Sequence, residues 1–394
     1  MMATVKESLQ VNNIHYLPDD LLLDCLARVS RLYYPTLSLV SKRFRSIIAS
    51  IELYQTRTLL GRTETCLYLC INFLGCKQRW FTLCRRPTQT RNPNPKPRWF
   101  TACFRPYRIQ MSRTRKEEKK PSENLMVPVF TRIYSTSYRC VRALIGSNIY
   151  RIGKQRAGNG FGSRVFFLDC RSHTWHEAPS MPIAQNWPLV SVLDGKIYVV
   201  EDHKGLDSSN LIESFDPKTQ KWAHVPGPSA EIAAGLVLRS LAMDGKLYLF
   251  GIDKTVAYKP KENKWDVVEL DMRLGSVDNE SFCVIDNVMY SRHMSEMFQW
   301  YDSKGRLWRD LKGLEELPIS PNTRVRLVNY GGKIAALWGK QVRSAVDSDN
   351  MMIWCAVIAV EIRNEQEVYG KIEWCDVVLT VPKSCRLEFL AVNV

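Results

Sequence analysis

From residue 126 onward one pattern returns five times: an apolar strand that begins beside Gly or Asn, followed 20 to 42 residues later by Trp. Ser147-Asn-Ile-Tyr150 leads to Trp175, and Asp194-Gly-Lys-Ile-Tyr-Val-Val200 leads to Trp222. Asp244-Gly-Lys-Leu-Tyr-Leu-Phe250 leads to Trp265, Asp286-Asn-Val-Met-Tyr290 to Trp308, and Gly331-Gly-Lys-Ile-Ala335 to Trp374. The turn positions Gly146, Gly195, Gly245, Asn287 and Gly332 stand 49, 50, 42 and 45 residues apart. A sheet unit that recurs at this period cannot cover its own apolar faces, so the chain must stack the units against one another.

The residues inside each unit set its strand count. Asp-Gly tolerates positive backbone torsions while the β-branched and aromatic residues around it favour extended chain, which predicts a tight hairpin at the start of each unit. Phe215-Asp-Pro-Lys-Thr-Gln-Lys-Trp222 and Tyr258-Lys-Pro-Lys-Glu-Asn-Lys-Trp265 share a second turn, in which Pro and short polar residues lead into a strand closed by Trp. Two hairpins make four strands, the content of one propeller blade. Five units leave four strands over: Cys66–Phe73, Arg79–Cys84, Met126–Phe130 and Arg386–Val394. A sixth blade made of three N-terminal strands and one C-terminal strand would close the ring and remove its open edge.

The N-terminal part is of a different kind. Leu17-Pro18-Asp19-Asp20 reads as a helix start, with Pro at the first helical position and two carboxylates at the positive end of the helix dipole. Leu21, Leu22, Cys25, Leu26 and Val29 follow on one helical face. Pro35 opens a second helical stretch, with Leu37, Val40, Phe44, Ile47, Ile48 and Ile51 at helical spacing, and three short helices are predicted in all. A module of about 45 residues lies near the lower size limit for an independent core, so it leans on a partner or on the rest of the chain.

Leu17-Pro-Asp-Asp-Leu-Leu-Leu-Asp-Cys-Leu-Ala-Arg-Val-Ser30 and Leu37-Ser-Leu-Val-Ser-Lys-Arg-Phe-Arg-Ser46 together resemble an F-box. The Gly-to-Trp units resemble the kelch repeat, and the combination is similar to the plant F-box/kelch-repeat proteins. The doubled Gly that usually ends the second kelch strand is missing here, Asn287 stands for Gly in the fourth unit, and the fifth carries an insertion with Asp347-Ser-Asp-Asn350. The resemblance implies an α+β multidomain chain, with a three-helix F-box before an all-β kelch-type propeller. Residues 1–13 are then a disordered N-terminus, 14–60 the F-box and 61–394 the propeller. Within the propeller, 66–130 hold the N-terminal strands of the closing blade with a basic insertion at about 87–122, 140–385 the five units, and 386–394 the closing strand.

By that resemblance, Leu17, Pro18, Leu21, Leu22, Leu26, Val40 and Phe44 occupy the positions that bind the Skp adaptor of a cullin ubiquitin ligase. Phe44 stands where many F-boxes have Trp. Gly146, Gly195, Gly245 and Gly332, with Trp175, Trp222, Trp265, Trp308 and Trp374, are blade architecture. The propeller would recruit a protein substrate for ubiquitination, and the sequence does not identify it. A kelch scaffold that assembles no ligase is the alternative, followed by a propeller enzyme or a nucleic-acid binder.

Charge and composition bear on those alternatives. Of the net charge of +15, residues 1–125 carry 22 basic against 9 acidic side chains, and residues 126–394 carry 33 against 31. The excess is a segment, Lys77 to Lys120, with 14 basic residues, rather than a field over the whole surface. Arg79-Trp-Phe-Thr-Leu-Cys-Arg-Arg-Pro87 is echoed by Arg98-Trp-Phe-Thr-Ala-Cys-Phe-Arg-Pro106, and only one copy can fill a blade position. The interleaved Trp80, Phe81, Trp99 and Phe100 have the composition of single-strand binders, but a solvated insertion is the plainer account and nucleic acid is disfavoured.

The 12 scattered cysteines include no Cys-x-x-Cys pair and read as reduced thiols. Ala157-Gly-Asn-Gly-Phe-Gly162 lacks the strand-to-helix setting of a phosphate loop, and His173-Thr-Trp-His176 lacks further ligands for a metal. No Gly-x-Ser-x-Gly, His-Glu-x-x-His or Gly-x-x-x-x-Gly-Lys-Ser/Thr stretch is present, so neither a catalytic group nor a cofactor is nominated. With no leader and no 18-residue apolar run, the expectation is a soluble protein without membrane attachment, cytoplasmic, nuclear or both.

Overall fold

Paired residues of left-handed backbone begin four of the blades: Asp194 and Gly195 (φ +50° and +73°), Asp244 and Gly245 (+50° and +68°), Asp286 and Asn287 (+47° and +61°), and Gly331 and Gly332 (+59° and +82°). Two consecutive residues of this kind make the turn whose twist matches that of the strands it joins. Asn287 tolerates the conformation, and its Oδ1 also accepts a hydrogen bond from the Asp244 N–H (3.2 Å), tying neighbouring turns together. His173, Gln220, Asn263 and Arg306, each two residues before a Trp, are left-handed as well and close the second hairpin of their blades.

This computed structural model describes residues 17–73, 78–86, 122–131, 139–157, 160–183, 188–201, 212–229, 231, 237–251, 254–268, 281–292, 297–341, 350–364 and 366–394. The N-terminal 13 residues, the basic insertion from 87 to 121, the second copy of the Arg-Trp-Phe-Thr motif and Asp347–Asp349 lie outside them.

Six antiparallel sheets follow from these turns. The first is the closing blade, in the order Arg386–Asn393, Thr65–Asn72, Gln78–Arg85, Asn124–Val129. Its C-terminal strand pairs with Thr65–Asn72 without a break, from Thr65↔Asn393 to Asn72↔Arg386. Blades 2 to 6 begin at Arg139, Pro188, Val237, Phe282 and Val325 and end at Ala178, Val225, Val268, Asp310 and Pro382. Blade 2 carries an additional short strand, Gly160–Gly162, and this end of the glycine-rich run pairs antiparallel with Gln155–Ala157.

Six apolar clusters seal the six blade interfaces in turn. Blade 1 meets blade 2 through Cys70 and Trp80 against Ile149 and Leu168, and it meets blade 6 through Leu69 and Phe389 against Leu337 and Cys355. Ile197 and Phe215 face Ile152 and Val165 between blades 2 and 3, and Tyr198 and Ile212 face Leu247 and Val256 between blades 3 and 4. Tyr248 meets Tyr301 between blades 4 and 5, and Tyr290 and Trp300 meet Ala336 and Ile358 between blades 5 and 6. Each interface buries aromatic or branched side chains worth roughly 1.5–3 kcal/mol apiece, and with all six present no sheet has a free face. The ring is therefore a closed six-bladed propeller, completed by strands from both ends of the chain.

The helical module differs from the sequence expectation in its breaks. Among the described residues four α-helices are present, α1 (Asp19–Ala27), α2 (Tyr34–Leu37), α3 (Lys42–Ile48) and α4 (Ile51–Leu59), with a 3-10 turn at Arg31–Tyr33. Three short helices are expected; the chain instead stops and restarts twice along the apolar spacing from Pro35 to Ile51, which gives four. Ser41 and Ser50 adopt extended backbone, and their hydroxyls accept hydrogen bonds from the N–H groups of Phe44 (3.1 Å) and Leu53 (3.4 Å). These caps satisfy helix-start donors that a continuous helix would not need satisfied.

Antiparallel pairing fixes which end of the ring each connection occupies. Turns joining first to second and third to fourth strands share one face, while connections between second and third strands and between blades leave the opposite one. The helical module touches the turn at Cys170–His173 in blade 2 and the chain at Glu64 and Thr65 entering blade 1, so it sits on the turn face.

Candidate functional site

The first helix shows how the module divides its apolar residues. Pro18 precedes α1, Asp19 and Asp20 occupy its first turn, and Arg43 from α3 holds the start of the helix in place. The Arg43 guanidinium donates to Asp19 Oδ1 (2.7 Å from Nε) and to the Leu17 carbonyl. That tie brings the Leu17 carbonyl and the first turn of α1 to the beginning of α3.

Exposure then separates the seven adaptor-binding candidates into two groups. Leu21 (55% exposed) and Val40 (56%) face outward, Pro18 is exposed and Leu17 is half-buried. Leu22 (3%), Leu26 (3%) and Phe44 (7%) point inward, into a cluster with Tyr34, Ile47, Leu53 and Tyr54. Leu39 and Ile51 add exposed apolar surface to the outward group.

A polar network that the sequence pattern does not announce locks the module to the ring. Arg57 is buried in α4; its Nη1 donates to the carbonyls of Ala27 (3.0 Å) and Val29 (2.7 Å) and to Tyr34 Oη (3.0 Å). Its Nη2 donates to the Arg62 carbonyl (2.6 Å) and pairs with Glu64 (3.2 Å). Glu64 in turn accepts from Ser30 Oγ (3.0 Å) and the Arg31 N–H (2.9 Å). Arg31 Nη2 donates to the Cys170 carbonyl in blade 2 (3.0 Å), and Tyr54 Oη donates to the Arg171 carbonyl (3.2 Å). Bonds to buried charged groups of this kind contribute more than neutral ones, and losing one partner leaves the other stranded. The only sequence signal was an arginine on the inner side of an amphipathic helix.

His173 belongs to the same junction. Its Nε2 lies 3.0 Å from Tyr68 Oη, while His176 stacks on Phe167 and lies 2.9 Å from Thr174 Oγ1. Burial, reinforced by the nearby Arg31 charge, pushes the His173 imidazole down from its ordinary 6.5 to about 3. Between those values the unfolded chain binds a proton that the folded chain refuses. This contribution to stability is therefore complete above pH 6.5 and lost as pH falls toward 3. His173→Asn, which suits the left-handed backbone, is expected to shrink the stability lost between pH 7 and pH 4.5 by about 1–2 kcal/mol, measured by urea denaturation. An equal loss in both proteins would contradict the assignment.

The blade markers have distinct duties. Trp222 Nε1 donates to the Pro179 carbonyl (2.9 Å) and Trp265 Nε1 to the Pro226 carbonyl (2.7 Å), in each case reaching the exit of the preceding blade. Trp175 packs edge-on against Trp80 of the closing blade at 6.0 Å, and Trp308 lies against the blade 4 side of its own sheet. Trp374 differs. A register shift between Val357↔Trp374 and Ile358↔Ile372 turns it toward the closing blade, and Ile372 takes the inward position that Trp222 and Trp265 fill elsewhere.

On the opposite face, the described strand ends at Glu201 and Ile212, Gly251 and Thr255, Arg292 and Phe298, and Gln341 and Asn350 flank the connections between second and third strands. Trp80 and Phe81 are buried in the closing blade, which withdraws half of the aromatic set that could have stacked on bases. The described cysteines are free thiols, most of them wholly or partly buried. Among the described residues no helix is long and apolar enough to cross a membrane, and no three His, Cys, Asp or Glu side chains cluster as metal ligands.

Comparison with known proteins gives these two parts their family. An F-box domain model matches residues 14–56, and a kelch-repeats domain model, FKB95, matches residues 99–379. The chain is 60% identical to At4g11770 of Arabidopsis thaliana over 402 aligned positions, covering 100% of both chains. It is 56% identical to At4g11750 of the same plant, covering 97% of this chain and 98% of the relative. Against a further Arabidopsis thaliana F-box/kelch-repeat protein, At4g39550, it is 45% identical over 95% of its own length and 92% of the relative's. The first two relatives also bear F-box/kelch-repeat names. With capped helices locked to one face of a closed six-bladed ring, and both domain models matched in order along the chain, this protein belongs to the plant F-box/kelch-repeat family.

Proposed function

We propose that the chain is the substrate-receptor subunit of a Skp-cullin-F-box ubiquitin ligase. The helical module binds the Skp adaptor, and loops on the far face of the propeller hold the protein to be ubiquitinated. The observation that carries this reading is the placement of Pro18, Leu21 and Val40, apolar and exposed, on a module fixed to the turn face. The connections between second and third strands leave from the other face. Adaptor and client thus meet opposite ends of one rigid body.

The mechanism is positional. A client held at a fixed distance from a ubiquitin-charged conjugating enzyme experiences a raised effective concentration, and this subunit supplies no acid, base or nucleophile. The compartment of action is the cytoplasm, the nucleus or both. Leu22, Leu26 and Phe44 act from inside the module by fixing the angle at which the outward residues are displayed.

Mixing the purified full chain with a plant Skp adaptor tests the reading. A complex that survives gel filtration at micromolar concentration is expected. Failure to form it, under conditions in which related F-box chains do, would favour a kelch scaffold that assembles no ligase.

A further inference from the structure

A cleft of about 1080 Å³ lies where the helical module meets blades 1, 2 and 6. Among the described residues six charged side chains line it, and five are basic: Arg31, Arg45, Arg86, Arg171 and Lys333, against Glu64. Glu64 is already committed to Arg57, Ser30 and the Arg31 backbone. Arg171 is held by Asp169 (3.0 Å) and Lys333 by Glu373 (2.5 Å), both on the propeller.

Arg31 stands apart from these. It is 8% exposed, its Nη2 donates to the Cys170 carbonyl, and its guanidinium lies 5.1 Å from the Tyr54 ring centre. Its Nη1 is buried with no hydrogen-bond partner, and it forms no ion pair among the described residues. A desolvated guanidinium without a counter-charge costs several kcal/mol, and its fork of N–H donors matches the paired oxygens of a phosphate or a carboxylate. Arg45 of α3 lies on the same wall, with its Nε on the Ser38 carbonyl (3.3 Å).

We infer that this cleft binds a small, soluble, phosphate-bearing anion with at least two negative charges, anchored by Arg31 and flanked by Arg45. The volume is at the upper end for small-molecule sites, and the enclosure between helices and sheet suits a compact ligand. Bound there, the anion would bridge the helical module to the propeller and stiffen the relation between the two working faces.

Calorimetric titration of the full chain with inorganic pyrophosphate, at constant ionic strength, tests the inference. Saturable one-to-one binding is expected, weakened about tenfold or more by Arg31→Gln and about threefold by Arg45→Gln. Arg164→Gln, which alters an exposed ion pair with Glu177 on blade 2, should leave it unchanged. If Arg31→Gln does not fold, the Arg45→Gln comparison carries the test, because Arg45 is exposed. Absence of saturable binding, or equal affinity in wild type and both cleft variants, overturns the inference. So does a phosphoserine peptide that binds more than tenfold tighter than pyrophosphate, which would make the site a peptide reader.

Discussion

Replacing Leu21 and Val40 together by Asp is expected to abolish capture of the Skp adaptor while the propeller keeps its melting temperature. Both side chains are more than half exposed in the free chain, so charge there meets water and costs the fold little. In the complex each would otherwise contribute on the order of 1–2 kcal/mol by burial. The Asp variants lose that term and in addition place unpaired carboxylates against apolar surface. A loss of about 3 kcal/mol corresponds to roughly a hundredfold in affinity, and the desolvation cost adds to it. Leu22→Asp supplies the contrast. Leu22 sits inside the module with Leu26, Phe44 and Tyr34, so a carboxylate there should melt the helices and lower the stability of the whole chain. Binding measured by calorimetry and melting followed by circular dichroism separate the two. If Leu21→Asp, Val40→Asp binds the adaptor as wild type does, the assigned surface is wrong.

Ending the chain at Cys385 is expected to prevent folding of the propeller, not merely to loosen it. The missing strand supplies the inner position of the closing blade and eight register pairs with Thr65–Asn72. It also buries Leu387, Phe389, Val392 and Val394. At roughly 1.5–3 kcal/mol per buried side chain the loss is on the order of 6–12 kcal/mol, comparable with the whole stability of a typical domain. It also leaves Thr65–Asn72 as an open edge ready to pair with other chains. Aggregated or protease-sensitive protein should result, and adding a synthetic peptide of residues 386–394 should restore part of the soluble fraction. A truncated chain that stays monomeric and melts like the full one would show that the ring does not depend on its closing strand.

Legibility in the sequence followed from how local each determinant was. The Asp-Gly turns and the Trp in the second hairpin state their conformation within a few residues, so the five units and the four leftover strands, and their joining into a sixth blade, are legible in the sequence alone. The breaks at Ser41 and Ser50 were hidden because the apolar spacing continues across them, and a hydroxyl that accepts one N–H outweighs that spacing. Trp374 was paired with the fifth unit by order alone. The register shift at Glu373, which only strand pairing reveals, sends its ring to the other side of the sheet. The partition of the F-box leucines was the least visible. Leu21 and Leu22 are neighbours on one apolar arc, and which of them faces out is set by the distant partners that seat α1, Tyr34 Oη on the Leu26 carbonyl and Arg57 on the Ala27 carbonyl. No short stretch of sequence contains that information.

The central claim is that the two faces of one rigid ring have different partners, and hydrogen exchange on the adaptor complex tests it most directly. Binding of the Skp adaptor is predicted to slow exchange at residues 19–26 and 39–44. Amides flanking Glu201, Gly251, Arg292 and Gln341, on the opposite face, should exchange as in the free chain. Protection at those strand ends with none in α1, or no protection anywhere in a complex shown to be intact, would contradict the assignment of faces.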